Sequence, residues 1–228
     1  MEQPGCSLAV VFDWDGTVFD TDFFIDQAIE HVLEQYAPSE LERLRPCFYL
    51  SQRPVSPLKM LRLPNAGREA IIKAIAEEVR NLEKHASPFK GAQALINHLR
   101  LLDIPLAVLT RRDRASLTAQ LQRSSLDQAF ASVICRGEVP PKPDPAGLDL
   151  IRQQLRVEKL ILIGNSLDDM HCALQAGAEF VAVSFCPRVR DEPFGSADCR
   201  VLTNYNTLHD ALMQRLRCDL TSDHPNQG

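Results

Sequence analysis

Two aspartates separated by one residue, Asp13 and Asp15, follow an apolar run from Leu8 to Phe12 and stand just before Gly16. A short apolar run closed by a turn signal reads as a buried strand. Residues two apart on a strand face the same side, so the two carboxylates leave the strand end together. Paired carboxylates repel, and a buried charge needs a partner or a proton. A bound cation resolves that conflict, as does a division of labour between an ionised base and a protonated acid. Chemistry at this turn is the first expectation, and two solvated aspartates at a strand end are the plain alternative.

Three further places carry residues suited to an anion. Thr110 ends the run Ala107-Val108-Leu109. A hydroxyl with backbone N–H groups near a helix start can hold a phosphate oxygen, although a simple helix N-cap looks the same. Arg111 could add a guanidinium contact to that anion or be solvated. Lys142 sits in Pro140-Pro141-Lys142-Pro143-Asp144-Pro145. The prolines restrict the neighbouring backbone, so the ammonium has less entropy to lose when it binds. A fixed cation beside paired carboxylates can offset the charge of a phosphate. The third place, Gly164-Asn165-Ser166-Leu167-Asp168-Asp169, follows the apolar run Leu160 to Ile163; Asn165-Ser166 alone also reads as a helix N-cap.

The elements needed to bring these places together are legible as periodicity. Phe24, Ala28, Ile29, Val32, Leu33 and Tyr36 recur at helical spacing, with Pro38 as the expected stop. Residues 37–65 read as irregular, with prolines at 38, 46, 54, 57 and 64, and a second helix is expected over 66–85. From residue 89 the texture alternates. Helices are expected over 92–102, 114–122, 145–155, 168–176 and 207–216, and strands over 105–110, 131–135, 159–163, 180–184 and 200–202. Strands alternating with helices argue for crossover units and a parallel sheet. The unbroken apolar strands suit a sheet covered on both faces. Ligands of such sheets bind beyond the carboxyl ends of the strands, where the chemical residues stand here.

Composition narrows the class. The chain has 228 residues, enough for one core domain with a modest insertion. Its net charge of −5 and lack of a basic run leave no electrostatic footprint for nucleic acid. Its apolar runs are far short of a membrane span. The first seven residues lack the basic region and apolar core of a signal peptide. The seven cysteines form no CxxC pair and no even framework, so a reducing compartment, the cytoplasm, is expected, with Cys135, Cys172 and Cys186 as buried thiols.

The run Asp13-Trp14-Asp15-Gly16-Thr17 after an apolar strand, with Asp20 just beyond, resembles the DxDGT signature of the haloacid dehalogenase-like (HAD) phosphohydrolases. Thr110, Lys142-Pro143-Asp144-Pro145 and Gly164-Asn165-Ser166 with Asp169 stand where that family has its other motifs, in the same order. The resemblance covers about residues 8–186 and is nearest the phosphoglycolate-phosphatase-like branch. It implies an α/β fold, a doubly wound Rossmann-like parallel sheet with an inserted α-helical cap. The implied division is a core of 1–20 and 89–218, a cap of 21–88 and a polar tail of 219–228.

By resemblance, Asp13 is the covalent nucleophile and Asp15 the general acid and base, while Thr110, Arg111 and Lys142 hold the phosphate. Mg²⁺ is the implied cofactor, with Asp13, Asp15, Asn165 and Asp169 as its ligands. Asn165 departs from the pattern, because the family usually has Asp there. Asn still offers a carbonyl oxygen to a hard cation but removes one negative charge, for which Asp169 or Asp168 could compensate. The implied activity is hydrolysis of a small phosphorylated metabolite by a monomer or homodimer, with no nucleic acid or membrane partner. A phosphomutase, a pyrophosphatase or a non-catalytic ligand binder weakened by Asn165 are the alternatives. Arg53, Lys59, Arg62 and Arg68, in or near the cap loops, could touch an anionic substrate or be solvated.

Overall fold

A computed structural model describes residues 8–21, 23–50, 57–63, 65–189, 194 and 199–222, with side chains for all of these except 65, 66 and 218–222. The expected strand is β1 (Leu8–Phe12), buried along its whole length. It is followed by α1 (Phe24–Tyr36), α2 (Pro38–Leu44), a single 3₁₀ turn at Arg45–Cys47, α3 (Pro57–Met60) and the long α4 (Asn65–His85). Then come α5 (Ala92–Leu101), β2 (Leu106–Leu109), α6 (Arg114–Arg123), β3 (Ser132–Ile134), α7 (Ala146–Leu155), β4 (Lys159–Gly164), α8 (Leu167–Gln175), β5 (Glu179–Ala182) and α9 (Tyr205–Ser222).

The described strands form one parallel sheet in the order β3-β2-β1-β4-β5. The order reverses at β1, and the crevice at such a reversal is where open α/β sheets bind ligands. Register fixes the rest. Phe12 lies beside Val108 of β2 and Ile163 of β4. The residues that follow, Asp13, Thr110 and Asn165, are therefore delivered to one edge of the sheet.

Alternation along β1 splits the core. Val10 and Phe12 pack with Leu95, Ile96 and Leu99 of α5, Leu117 of α6 and Leu208 and Leu212 of α9. Ala9 and Val11 pack on the opposite face with Leu148 and Ile151 of α7 and Cys172 and Ala173 of α8. A strand covered on both faces must be apolar at every position, and Leu8–Phe12 is.

The helices between β1 and α5 bury a separate apolar cluster, which includes Ala28, Ile29 and Leu33 of α1, Leu41 and Leu44 of α2 and Ile75 of α4. Cys186 and Val189, which follow β5, pack into this cluster as well. The two connections of the insertion run side by side: Phe19 bridges Pro88, and Phe89 N–H donates to the Val18 carbonyl at 2.9 Å.

Three expectations need correction. Residues 37–65 are not simply irregular: Pro38 ends α1 but occupies the first turn of α2, a position that needs no N–H. The strand expected over 200–202 is reduced to a single bridge between Val183 and Leu202. The last helix does not stop at 216, because α9 runs on to Ser222 through residues with no apolar spacing to mark it; residues 223–228 of the expected tail lie outside the described residues. Among the described residues no helix is long and apolar enough to cross a membrane.

Candidate active site

Asp13 begins the turn that β1 feeds, and its N–H donates to the Ile163 carbonyl at 2.9 Å, the last tie of β1 to β4. Gly16 takes a φ of 76°, the left-handed conformation that turns the chain back. Trp14 points away from the two acids into the core, where it stacks on Phe19 with ring centroids 5.0 Å apart. Its indole Nε1–H donates to Gln120 Oε1 on α6 at 2.5 Å. The residue between the two acids thus fixes the turn that carries them.

Lys142 is the centre of the charge network. Its Nζ donates to Asp13 Oδ1 at 2.5 Å and to the Leu109 carbonyl at 3.1 Å. It also lies 2.5 Å from Asp169 Oδ1, an ion-pair distance, although off the line of a good hydrogen bond. The loop after β3 and the start of α8 therefore meet beyond the tip of β1. Asp169 is fully buried; its Oδ2 accepts from Ser166 N–H at 3.0 Å and from Ser166 Oγ at 2.5 Å, closing a capping box on α8. Gly164 makes this possible: a Cβ there would sit 2.5 Å from Asp169 Cβ.

Electrostatics follow from this burial. Loss of water lifts the Asp13 carboxyl from 3.8 to about 6, against the pull of Lys142, with Asp169 and Asp15 adding to the rise. Burial works against the Lys142 ammonium too, but Asp13 and Asp169 outweigh it and raise its pKa, so it stays charged. Thr110 is buried at the end of β2, and its Oγ1 accepts from Arg112 N–H at 3.1 Å. The hydroxyl keeps its proton for another acceptor.

The sites expected from sequence line one cavity of about 550 Å³ between the sheet edge and the helical insertion: Asp13, Asp15, Thr110, Arg111, Lys142, Asn165 and Asp169 all contribute to its wall. Arg111 stands at its exposed margin, ion-paired with Asp168 at 2.7 Å. Lys59, Arg62 and Arg68 do not line it, and Arg53 lies outside the described residues. Sequence reasoning missed Arg112, whose largely enclosed side chain reaches both Asp15 and Glu83 of α4. Its neighbour Arg111 had the same credentials in sequence; only the fold decides which of the two turns inward. It also missed the insertion's contribution to the wall, made by Phe24, Ile25, Leu50, Pro57, Val79 and Glu83.

A family model described as haloacid dehalogenase-like hydrolase matches residues 10–183. The chain belongs to the haloacid dehalogenase-like hydrolases. Among curated relatives of this hydrolase, a phosphoglycolate phosphatase of Rhodobacter capsulatus is 27% identical over 183 residues, covering 76% of this chain and 82% of the relative. The pyrophosphatase PpaX of Halalkalibacterium halodurans is 24% identical over 185 residues, covering 80% of this chain and 86% of the relative. Such relatives put the hydrolase on the phosphoglycolate-phosphatase-like branch. A solved HAD family hydrolase from Deinococcus radiodurans, with bound phosphate and sodium, shares the fold with a TM-score of 0.73 at 22% identity, covering 90% of this chain and 95% of that one.

The donors available to a cation are all oxygens, which suits Mg²⁺. Among the described residues no three acidic, His or Cys side chains converge closely enough to hold an ion by themselves. An ion here would share the Asp13 and Asp169 carboxylates with Lys142 and Ser166, and would need the Asn165 amide and a main-chain oxygen besides.

Proposed function

We propose that this HAD-like hydrolase is a Mg²⁺-dependent phosphatase that cleaves a small-molecule phosphomonoester through an aspartyl-phosphate. The observation that carries the reading is the Asp13 carboxylate held 2.5 Å from the buried Lys142 ammonium at the tip of β1, with Thr110 on the adjoining strand end. Asp13 attacks phosphorus, and the bond from phosphorus to the ester oxygen breaks. Asp15 gives its proton to the departing alkoxide and then takes one from water. That water attacks phosphorus, the bond to Asp13 breaks, and inorganic phosphate and free Asp13 result. Lys142 and Thr110 hold the oxygens of the phosphoryl group, where charge stabilisation and positioning do most of the catalytic work. Mg²⁺, held by Asp13, the Asp15 main-chain carbonyl, Asn165 and Asp169, would supply further charge neutralisation.

The insertion, residues 21–88, acts as the cap on a core of 1–20 and 89–218. Its apolar wall excludes water and reads the leaving group. The thiols of Cys47, Cys135, Cys172 and Cys186 are free, which fits a cytoplasmic enzyme. A pyrophosphate substrate is the second reading, favoured by the likeness to pyrophosphatase PpaX.

A panel of p-nitrophenyl phosphate, 2-phosphoglycolate, pyrophosphate, hexose phosphates and simple alkyl phosphates at millimolar Mg²⁺ tests the reaction. Turnover is expected on at least one ester and lost in Asp13→Asn with the fold intact. Inactivity across the panel, or turnover retained by Asp13→Asn, removes the reading.

A further inference from the structure

Arg112 is the more enclosed of the two arginines at the site, and it is committed to protein acceptors. Its Nε donates to Asp15 Oδ1 at 3.1 Å, and its Nη2 donates to the same oxygen. Its Nη1 donates to Glu83 Oε1 and to Ser116 Oγ, each at 2.7 Å. Ser116 is itself fixed in the first turn of α6, its N–H donating to Asp113 Oδ1 at 2.9 Å. Glu83 belongs to the last turn of α4, whose carbonyl at the same residue accepts from Arg123 Nη2 at 3.1 Å. Asp15 Oδ1 also accepts from the Thr21 hydroxyl, while Oδ2 has only a long 3.3 Å contact with Arg112 Nε.

One oxygen of Asp15 is therefore pinned and the other is left to exchange a proton. The pin is two guanidinium N–H groups converging on Oδ1, with Nε reaching Oδ2 more weakly, so it restrains the carboxylate more than a single point charge would. The guanidinium is steadied by the core through Ser116 and by the insertion through Glu83. With four of its five N–H groups engaged by protein acceptors, Arg112 is better placed to orient Asp15 than to anchor a substrate anion.

We infer that Arg112 is a positioning residue that sets the orientation of Asp15, and that Glu83 makes this orientation depend on the docked end of α4. The inference rests on the acid and base role proposed for Asp15. When α4 lifts from the core, Glu83 leaves Arg112 and the guanidinium loses a brace. The proton donor is then aligned only while the insertion is seated.

The test is a set of variants, Arg112→Gln, Arg112→Lys and Glu83→Gln, each made alone and in an Asp15→Asn background. Turnover is read on p-nitrophenyl phosphate and on the alkyl phosphate of the panel that is hydrolysed fastest. Arg112→Gln is expected to lower kcat on the alkyl ester about 10- to 100-fold with KM changed less than about threefold, the scale of a misplaced catalytic group. Glu83→Gln, a change at the surface of α4, should lower kcat about three- to tenfold by the same route, and Arg112→Lys should recover part of the loss. p-Nitrophenolate leaves without a proton, so losses on its ester should be smaller. In the Asp15→Asn background none of the three substitutions should lower turnover further, because a residue acting through another has no separate effect. A rise in KM alone, a rise in kcat, or losses that multiply in the Asp15→Asn background would overturn the inference while leaving Asp15 its role. Wild-type turnover of the alkyl ester by Asp15→Asn would instead remove the role of Asp15, and the inference with it.

Discussion

The sheet side of the cavity buries Asp13, Thr110, Lys142 and Asp169, whereas the helical side offers Phe24, Ile25, Leu50, Pro57 and Val79 with Glu83 at its end. The first wall is centred on Lys142, whose ammonium lies 2.5 Å from the carboxylates of both Asp13 and Asp169. The second is made of apolar groups, of which Ile25 and Val79 pack against the insertion's own apolar cluster. A closed charge network tolerates little change, because removing one member strands the rest. An apolar wall can be reshaped at modest cost. The division suits an enzyme whose reaction is set by one wall and whose choice of ester is set by the other.

The contrast can be broken or sharpened by experiment. Lys142→Ala strikes the first wall at its centre. It leaves Asp13 and Asp169 facing each other, so turnover should fall more than about 10³-fold and stability by about 3–5 kcal/mol, as expected for a broken buried ion pair. Steady-state kinetics and denaturant unfolding check both, and near-normal stability would mean that the network is not load-sharing. Ile25→Ala strikes the second wall. The ratio of kcat/KM between two esters of different leaving-group size should shift about tenfold, with p-nitrophenyl phosphate kcat held within about threefold. An equal loss on every ester would erase the distinction between the walls.

Asn165→Asp tests the margin where the two walls meet the proposed cation. The added carboxylate raises ligand charge, so the Mg²⁺ concentration for half-maximal activity should fall severalfold. An unchanged titration would mean that position 165 does not hold the ion. The smallest effect concerns pH. The folded protein holds the Asp13 proton up to about 6, above its ordinary 3.8, so folding binds protons and stability declines as pH rises through that window. In metal-free protein, Asp13→Asn lacks this decline. As pH rises from about 4 through 6, the wild type's melting temperature should therefore fall relative to that of the variant, whatever the offset left by the lost ion pair with Lys142. A wild type that gains on the variant over that window would reverse the assigned cause.

Much of the sheet was readable before folding because its strands are unbroken apolar runs, and because polar residues follow Phe12 and Leu109 directly and Ile163 after one glycine. Register alone then aligns their ends. Pro38 misled because proline both stops one helix and starts another, and sequence does not say which use prevails. Arg112 was not legible for a different reason. Its partners Asp15 and Glu83 are 97 and 29 residues away, and nothing local separates it from Arg111. Trp14 was visible but mute: its role depends on Gln120, 106 residues further on.

The apolar cluster of the insertion is completed by Cys186 and Val189, from a stretch of chain that only follows β5. The insertion is therefore not a self-contained cassette between two linkers. A chimaera that exchanged residues 21–88 for the equivalent part of a relative would set foreign side chains against a native floor. Such a graft should succeed only when residues 186–189 travel with it, and evolutionary shuffling of this module meets the same condition.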